Sequence, residues 1–204
     1  MNSAIESSPV LQHRFRRVRK VHVERPRLRA GQHYLLVIRN PVSRAISAFN
    51  WRHHLVMQTE KQKDRFPGEW EILNKYKTLN ALAERLYEDG IPNESVLREF
   101  RTIHHLRESI AFYLGEFPER VNPKRIFAVF CAEFLDQEVE DVLQVPGAPR
   151  IHENASKQPE ENTRLSDVGR ANLARVLEED YRVVEWLCEV KKLPAEKRRV
   201  LLRQ

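Results

Sequence analysis

The sequence predicts an α/β protein in which a small parallel sheet is wrapped by helices. Tyr34 to Ile38 is a continuous apolar run that reads as a strand buried on both faces, and Arg125 to Cys131 is the second strand candidate. The stretches around them carry apolar residues at helical spacing, and strands separated by helices close into parallel sheets. Of the 204 residues, 41% are hydrophobic and 31% charged, a globular composition with enough chain for a core of its own.

Met1 to Ser8 is polar and without period, so residues 1–13 read as a loose N-terminal segment ahead of one domain over 14–204. The chain then turns basic, with Arg14, Arg16, Arg17, Arg19 and Lys20 followed by Arg25, Arg27 and Arg29. Within this stretch Val18 to Val23 alternates as a short strand would, ended by Pro26. After the first buried strand, Asn40-Pro41 supplies a helix N-cap and a first-turn proline, and Val42, Ile46 and Phe49 follow at helical spacing. Leu79 to Glu88 reads as an amphipathic helix stopped at Gly90, and Ser95 to Phe117 as a long helix stopped by Pro118. Glu133 to Leu143 is a further helix. Val145 to Thr163, rich in Pro, Asn and Gln, reads as an irregular segment, and Ser166 caps a long closing helix whose stripe runs from Leu173 to Cys188.

Totals narrow the function. Lys and Arg number 35 against 29 Asp and Glu, a net charge of +6 that favours an anionic partner. Cys131 and Cys188 lie far apart in apolar runs, neither a disulfide framework nor a zinc motif, so a reducing, cytoplasmic compartment is the expectation. No apolar run approaches the ~18 residues of a membrane span, and Met1 to Val10 has no signal-peptide core. There are six glycines, and the nearest two, such as Gly68 and Gly90, are 22 positions apart, so the chain contains no Gly-rich phosphate loop.

Leu35 to Trp51 carries the strongest chemical signal. A buried strand delivers Arg39 to the carboxyl edge of the sheet, where α/β proteins bind ligands. The following helix begins there, presenting unpaired N–H groups and the positive end of its dipole. Arg39 adds a bidentate fork and Ser47, eight residues on, a hydroxyl. These groups suit a phosphate. They suit equally a generic strand–helix joint whose arginine pairs with a carboxylate.

The same stretch resembles the 3′-phosphate-binding motif of sulfotransferases that use 3′-phosphoadenosine 5′-phosphosulfate (PAPS), in which a strand ends in Arg-Asn-Pro and a serine follows eight residues after the arginine. Arg39, Asn40, Pro41 and Ser47 match it, and Val42, Arg44 and Ser47 match the Val-x-Arg-x-x-Ser continuation of the carbohydrate sulfotransferases. Tyr113 to Phe117, the strand Arg125 to Phe130 and Glu133-Phe134-Leu135 are similar to the family's next elements, and Leu165 to Tyr181 to its closing helix. The resemblance implies a P-loop-kinase-like sulfotransferase fold. It further implies PAPS or 3′,5′-adenosine bisphosphate as the nucleotide and a hydroxyl-bearing acceptor such as a glycan; nucleic acid is not the expected partner on this reading. Arg39, Ser47, Asn40 and Arg44 would hold the nucleotide, joined by Lys157, which follows a stretch similar to the family's Asn-x-Ser (Asn154-Ala155-Ser156). For the base, the resemblance points to a His or Glu before the Arg-Asn-Pro strand: His22, with Glu24 as the fallback.

One departure is large. The family opens with a strand and a Pro-Lys-x-Gly-Thr-Thr loop that cradles the 5′-phosphosulfate, and this chain has neither before Arg39. The expectation is a domain incomplete at its N-terminus, or a degenerate member that does not transfer sulfate. The alternative function is a non-catalytic nucleotide- or polyanion-binding module using the basic N-terminal segment. The adjacent pairs His53-His54 and His104-His105 point about 100° apart on a regular helix, so neither chelates a metal by itself. Arg52, His53 and His54 read as a solvated face, with a face toward an anionic acceptor as the alternative.

Overall fold

The computed structural model describes residues 2–21, 23–146 and 163–203. Two short helices, α1 (Asn2–Ser7) and α2 (Pro9–Arg14), open the chain in place of the expected loose end. Ser8 explains their order. Its hydroxyl accepts from Leu11 N (3.2 Å) as the α2 cap and donates to the Leu143 carbonyl (2.8 Å), pinning the segment while Ala4 and Leu11 are buried. The basic stretch that follows has no regular structure among its described residues. Val18, Val21 and Val23 are all exposed there, so the expected strand has no face to bury.

The sheet is a parallel pair, β1 (Tyr34–Ile38) and β4 (Ile126–Cys131), running from Tyr34 beside Ile126 to Ile38 beside Cys131. Everything between the strands is crossover. In chain order it comprises α3 (Pro41–His53), continued by a π-helical turn His54–Gln58, then α4 (Glu69–Tyr76), α5 (Leu79–Ala83) and the hairpin β2 (Tyr87–Glu88) and β3 (Ile91–Pro92). It ends with α6 (Glu94–Thr102), α7 (His104–Arg107), α8 (Ile110–Leu114) and α9 (Phe117–Arg120). After β4 come α10 (Leu135–Leu143), α11 (Asp167–Val176), α12 (Glu178–Val190) and α13 (Ala195–Leu202). A register shift between Tyr34 and Leu35 leaves Phe127 as an extra residue on β4 and sets the alternation of both strands. Ile38, Ile126, Val129 and Cys131 then face a core with α8, α9, α12 and α13, while Phe130 packs on α1, α2 and α10. β1 is not buried on both faces: Val37 is 44% exposed, because among the described residues only β4 pairs with β1 and a two-strand ribbon covers little.

A second core, with Phe49, Leu73, Leu82, Ile103 and Leu173 fully buried, joins α3 to α7 and α11. It is built where the expected long helices break. The expected helix Leu79 to Glu88 ends at Ala83, and Tyr87 and Glu88 instead enter a hairpin whose two-residue turn, Asp89 and Gly90, takes positive φ (50° and 81°). Ser95 to Phe117 divides because carboxylates from elsewhere capture its N–H groups. Glu69 accepts from His104 N (2.9 Å), and Asp180 accepts from Ile110 N (2.9 Å) and Ala111 N (2.8 Å). The closing helix from Ser166 bends once, at Leu177. Among the described residues, no helix is long and apolar enough to cross a membrane.

Arg52 is not on a solvated face. It is 1% exposed, donating Nε and Nη2 to Glu69 (2.9 and 2.6 Å) and Nη1 to Gln62 Oε1 (2.5 Å), under the Phe66 ring. Glu69→Ala strands that guanidinium in the core and is expected to destabilise the fold by about 3–5 kcal/mol. The double variant Arg52→Met/Glu69→Leu recovers most of this loss. Urea denaturation midpoints at constant m-value check both.

Candidate functional site

The carboxyl end of β1 presents Arg39, 42% exposed, beside the start of the 13-residue helix α3. Its Nε donates to Glu133 Oε1 (3.1 Å), and Glu133 Oε2 accepts from the Cys131 thiol (3.0 Å) at the end of the neighbouring strand. Burial pushes that thiol up to about 12, with the Glu133 carboxylate acting in the same direction, so Cys131 is no nucleophile. Ser47 lies exposed on α3, two turns on from Arg39.

The other nucleotide-site candidates fare differently. Asn40 is 5% exposed: Oδ1 accepts from Ser43 N (2.9 Å) as the α3 cap, and Nδ2 donates to the carbonyls of Leu201 (3.0 Å) and Arg203 (2.7 Å). Its side chain clasps the C-terminal helix to the joint rather than facing a ligand. Arg44 also points inward, donating to the carbonyls of His105 (3.3 Å) and Glu108, and burial lowers its pKa. Glu24 sits on the irregular exposed segment, paired with Arg19 (2.6 Å). His22 and Lys157 lie outside the described residues.

A second cluster forms where Arg44 ends. α7 is a single turn that ends at Glu108 (φ −91°, ψ 71°), whose carboxylate lies near both histidine rings. His104 Nδ1 stands 3.4 Å from Glu108 Oε1, and His105 Nδ1 stands 4.0 Å from Oε2. The Tyr113 hydroxyl donates to Oε2 (3.1 Å). Burial, with the nearby Glu108 charge, pushes that phenol up to about 12. Burial lowers the His105 pKa to about 4, helped by His104, Arg52 and Arg44 and opposed by Glu108. His104 is lowered as well, by burial first. Both imidazoles are therefore neutral at pH 7.

Neighbouring histidines diverge on a regular helix, but α7 is one turn followed by a break. The spacing His104-His105-x-x-Glu108 is the signal that could have found the cluster. His53 and His54 do diverge, stacking on Phe49 and Trp51 respectively. Tyr113 also lines a cleft of about 290 Å³ with Arg25, Arg27, Phe112, Glu116 and Arg120, where the Arg25 guanidinium lies 4.3 Å from the Phe112 ring centroid.

Because His105 has a lower pKa folded than unfolded, the unfolded chain takes up its proton first as pH falls. The protein therefore loses stability between pH 6.5 and about 4, at up to about 1.4 kcal/mol per pH unit from this group. His105→Gln flattens that part of the profile, as read by chemical denaturation in metal-free buffer at pH 7.5, 6 and 5.

Compared with family models, with curated proteins and with solved structures, the chain matches none.

Proposed function

We propose that the chain binds a 3′-phosphoadenosine nucleotide at the joint of β1 and α3, in the manner of PAPS-dependent sulfotransferases. In this reading, the sheet and its helices are the remnant of a P-loop-kinase-like sulfotransferase fold. The observation that carries it is the placement of Arg39, solvent-accessible at the carboxyl edge of a parallel strand, against the N-terminus of a long helix that also exposes Ser47. Arg39 meets the 3′-phosphate through its guanidinium and Ser47 donates its hydroxyl, while Asn40 holds the joint rigid. Glu133 competes with the ligand for Arg39.

Sulfuryl transfer to a hydroxyl acceptor, a glycan in the family the sequence resembles, is the reaction this site would serve. Transfer also needs groups around the 5′-phosphosulfate, and the chain has no Gly-rich loop to supply them. Nucleotide binding is thus the measurable activity, with turnover by this chain alone weak or absent. The exposed run Arg16, Arg17, Arg19 and Lys20 favours a second reading, a polyanion-binding module.

Thermal-shift titration separates the two. 3′,5′-Adenosine bisphosphate is expected to stabilise the protein more than AMP does. Arg39→Ala weakens binding by about 1.5–3 kcal/mol, roughly 10- to 100-fold, Ser47→Ala by about 1 kcal/mol, and Glu133→Ala tightens it. Equal shifts with both nucleotides, or an unaffected Arg39→Ala variant, overturn the assignment. Stabilisation by heparin that is lost steeply with salt selects the polyanion reading instead.

A further inference from the structure

We propose that His104, His105 and Glu108 form a binding site for a divalent transition-metal ion of the zinc class. Each residue offers one ligand atom, and the three atoms lie within 4.8 Å of one another. A tetrahedral ion with bonds of about 2.1 Å holds its ligands roughly 3.4 Å apart, and His104 Nδ1 and Glu108 Oε1 already stand at 3.4 Å. Two imidazole nitrogens and one carboxylate are a donor set that suits zinc and similar ions and leaves a coordination position for water.

Surrounding groups orient this set. The His104 ring stacks on Phe66 with centroids 4.0 Å apart, and its Nδ1 is buried with no hydrogen-bond partner. A buried ring nitrogen left unpaired is unfavourable in a folded protein, and coordination would satisfy it. The Tyr113 hydroxyl fixes Glu108 from one side, and Arg44 holds the backbone carbonyls of His105 and Glu108 from another. The side chain of His105 is 26% exposed, which gives the ion a route in. Arg52 is neutralised by Glu69. Arg44 and Arg107 carry charge that opposes binding, and Arg107, 54% exposed, has its Nη2 3.7 Å from Glu108 Oε1. It competes for the carboxylate and is free to swing into solvent.

The site is independent of the nucleotide reading and is tested without nucleotide. The full chain, stripped with EDTA, is titrated with Co²⁺ and followed by visible absorption, then with Zn²⁺ by calorimetry. One equivalent of Co²⁺ is expected to give the intense d–d bands of a four-coordinate ion, and Zn²⁺ to bleach them. His105→Gln and Glu108→Gln each weaken binding at least tenfold, given that even groups behind the ligands are worth 10- to 100-fold. Arg107→Ala, which removes the guanidinium competing for Glu108, tightens it about two- to fivefold. His53→Gln/His54→Gln leaves it unchanged. Absence of the bands, or equal affinity in a His104→Gln/His105→Gln variant that circular dichroism shows to be folded, overturns the site.

Discussion

The buried ion pair between Arg52 and Glu69 organises the helical half of this protein. Removing both charges from water is costly, and the geometry answers with two direct hydrogen bonds to Glu69, one to Gln62 and the face of Phe66. The same carboxylate takes the first N–H of α7, so one residue fixes the end of α3, the start of α4 and the point where the chain turns into α7. Asp180 does the same for α8 from the first turn of α12. Two buried carboxylates thereby decide where a continuous apolar pattern is cut into short helices.

The cuts have chemical consequences. A straight helix through residues 95–117 would place Glu108 one turn on from His104 and His105, at i+4 and i+3, while pointing the two rings about 100° apart. A single turn followed by the backbone turn at Glu108 gathers the three side chains within a few ångströms. Arg44, in the first turn of α3, connects this cluster to the helix whose start adjoins Arg39, so one helix end bears on both the Arg39 joint and the imidazole–carboxylate cluster. The joint in turn depends on the chain's last residues. Asn40 caps α3 and donates to the carbonyls of Leu201 and Arg203, far away in sequence.

Arg39 and Glu133 show how the sheet sets the electrostatics of its own edge. Because Ile38 lies beside Cys131, the residues just past each strand end meet, and a cation from one finds a carboxylate from the other. That pairing keeps Arg39 oriented at the helix N-terminus, and it sets the competition that any anion entering the joint must win.

Much of this was legible in the amino-acid sequence by itself. The two parallel strands and the Asn40-Pro41 start of α3 came from local patterns, as did the Ser166 cap and the exposed placement of Arg39, because apolar runs, caps and turn residues act over a few positions. The Asp89-Gly90 hairpin was equally local, an available signal that the helical pattern around it obscured. What only the tertiary structure decided is the partner of each polar group. Arg52 reads as a surface residue in the sequence and is a buried charge in the fold, Asn40 and Arg44 turn inward, and His104, His105 and Glu108 converge. Period and composition carry no information about which distant carboxylate or carbonyl will satisfy a given N–H, and that choice determines where helices end and which side chains meet.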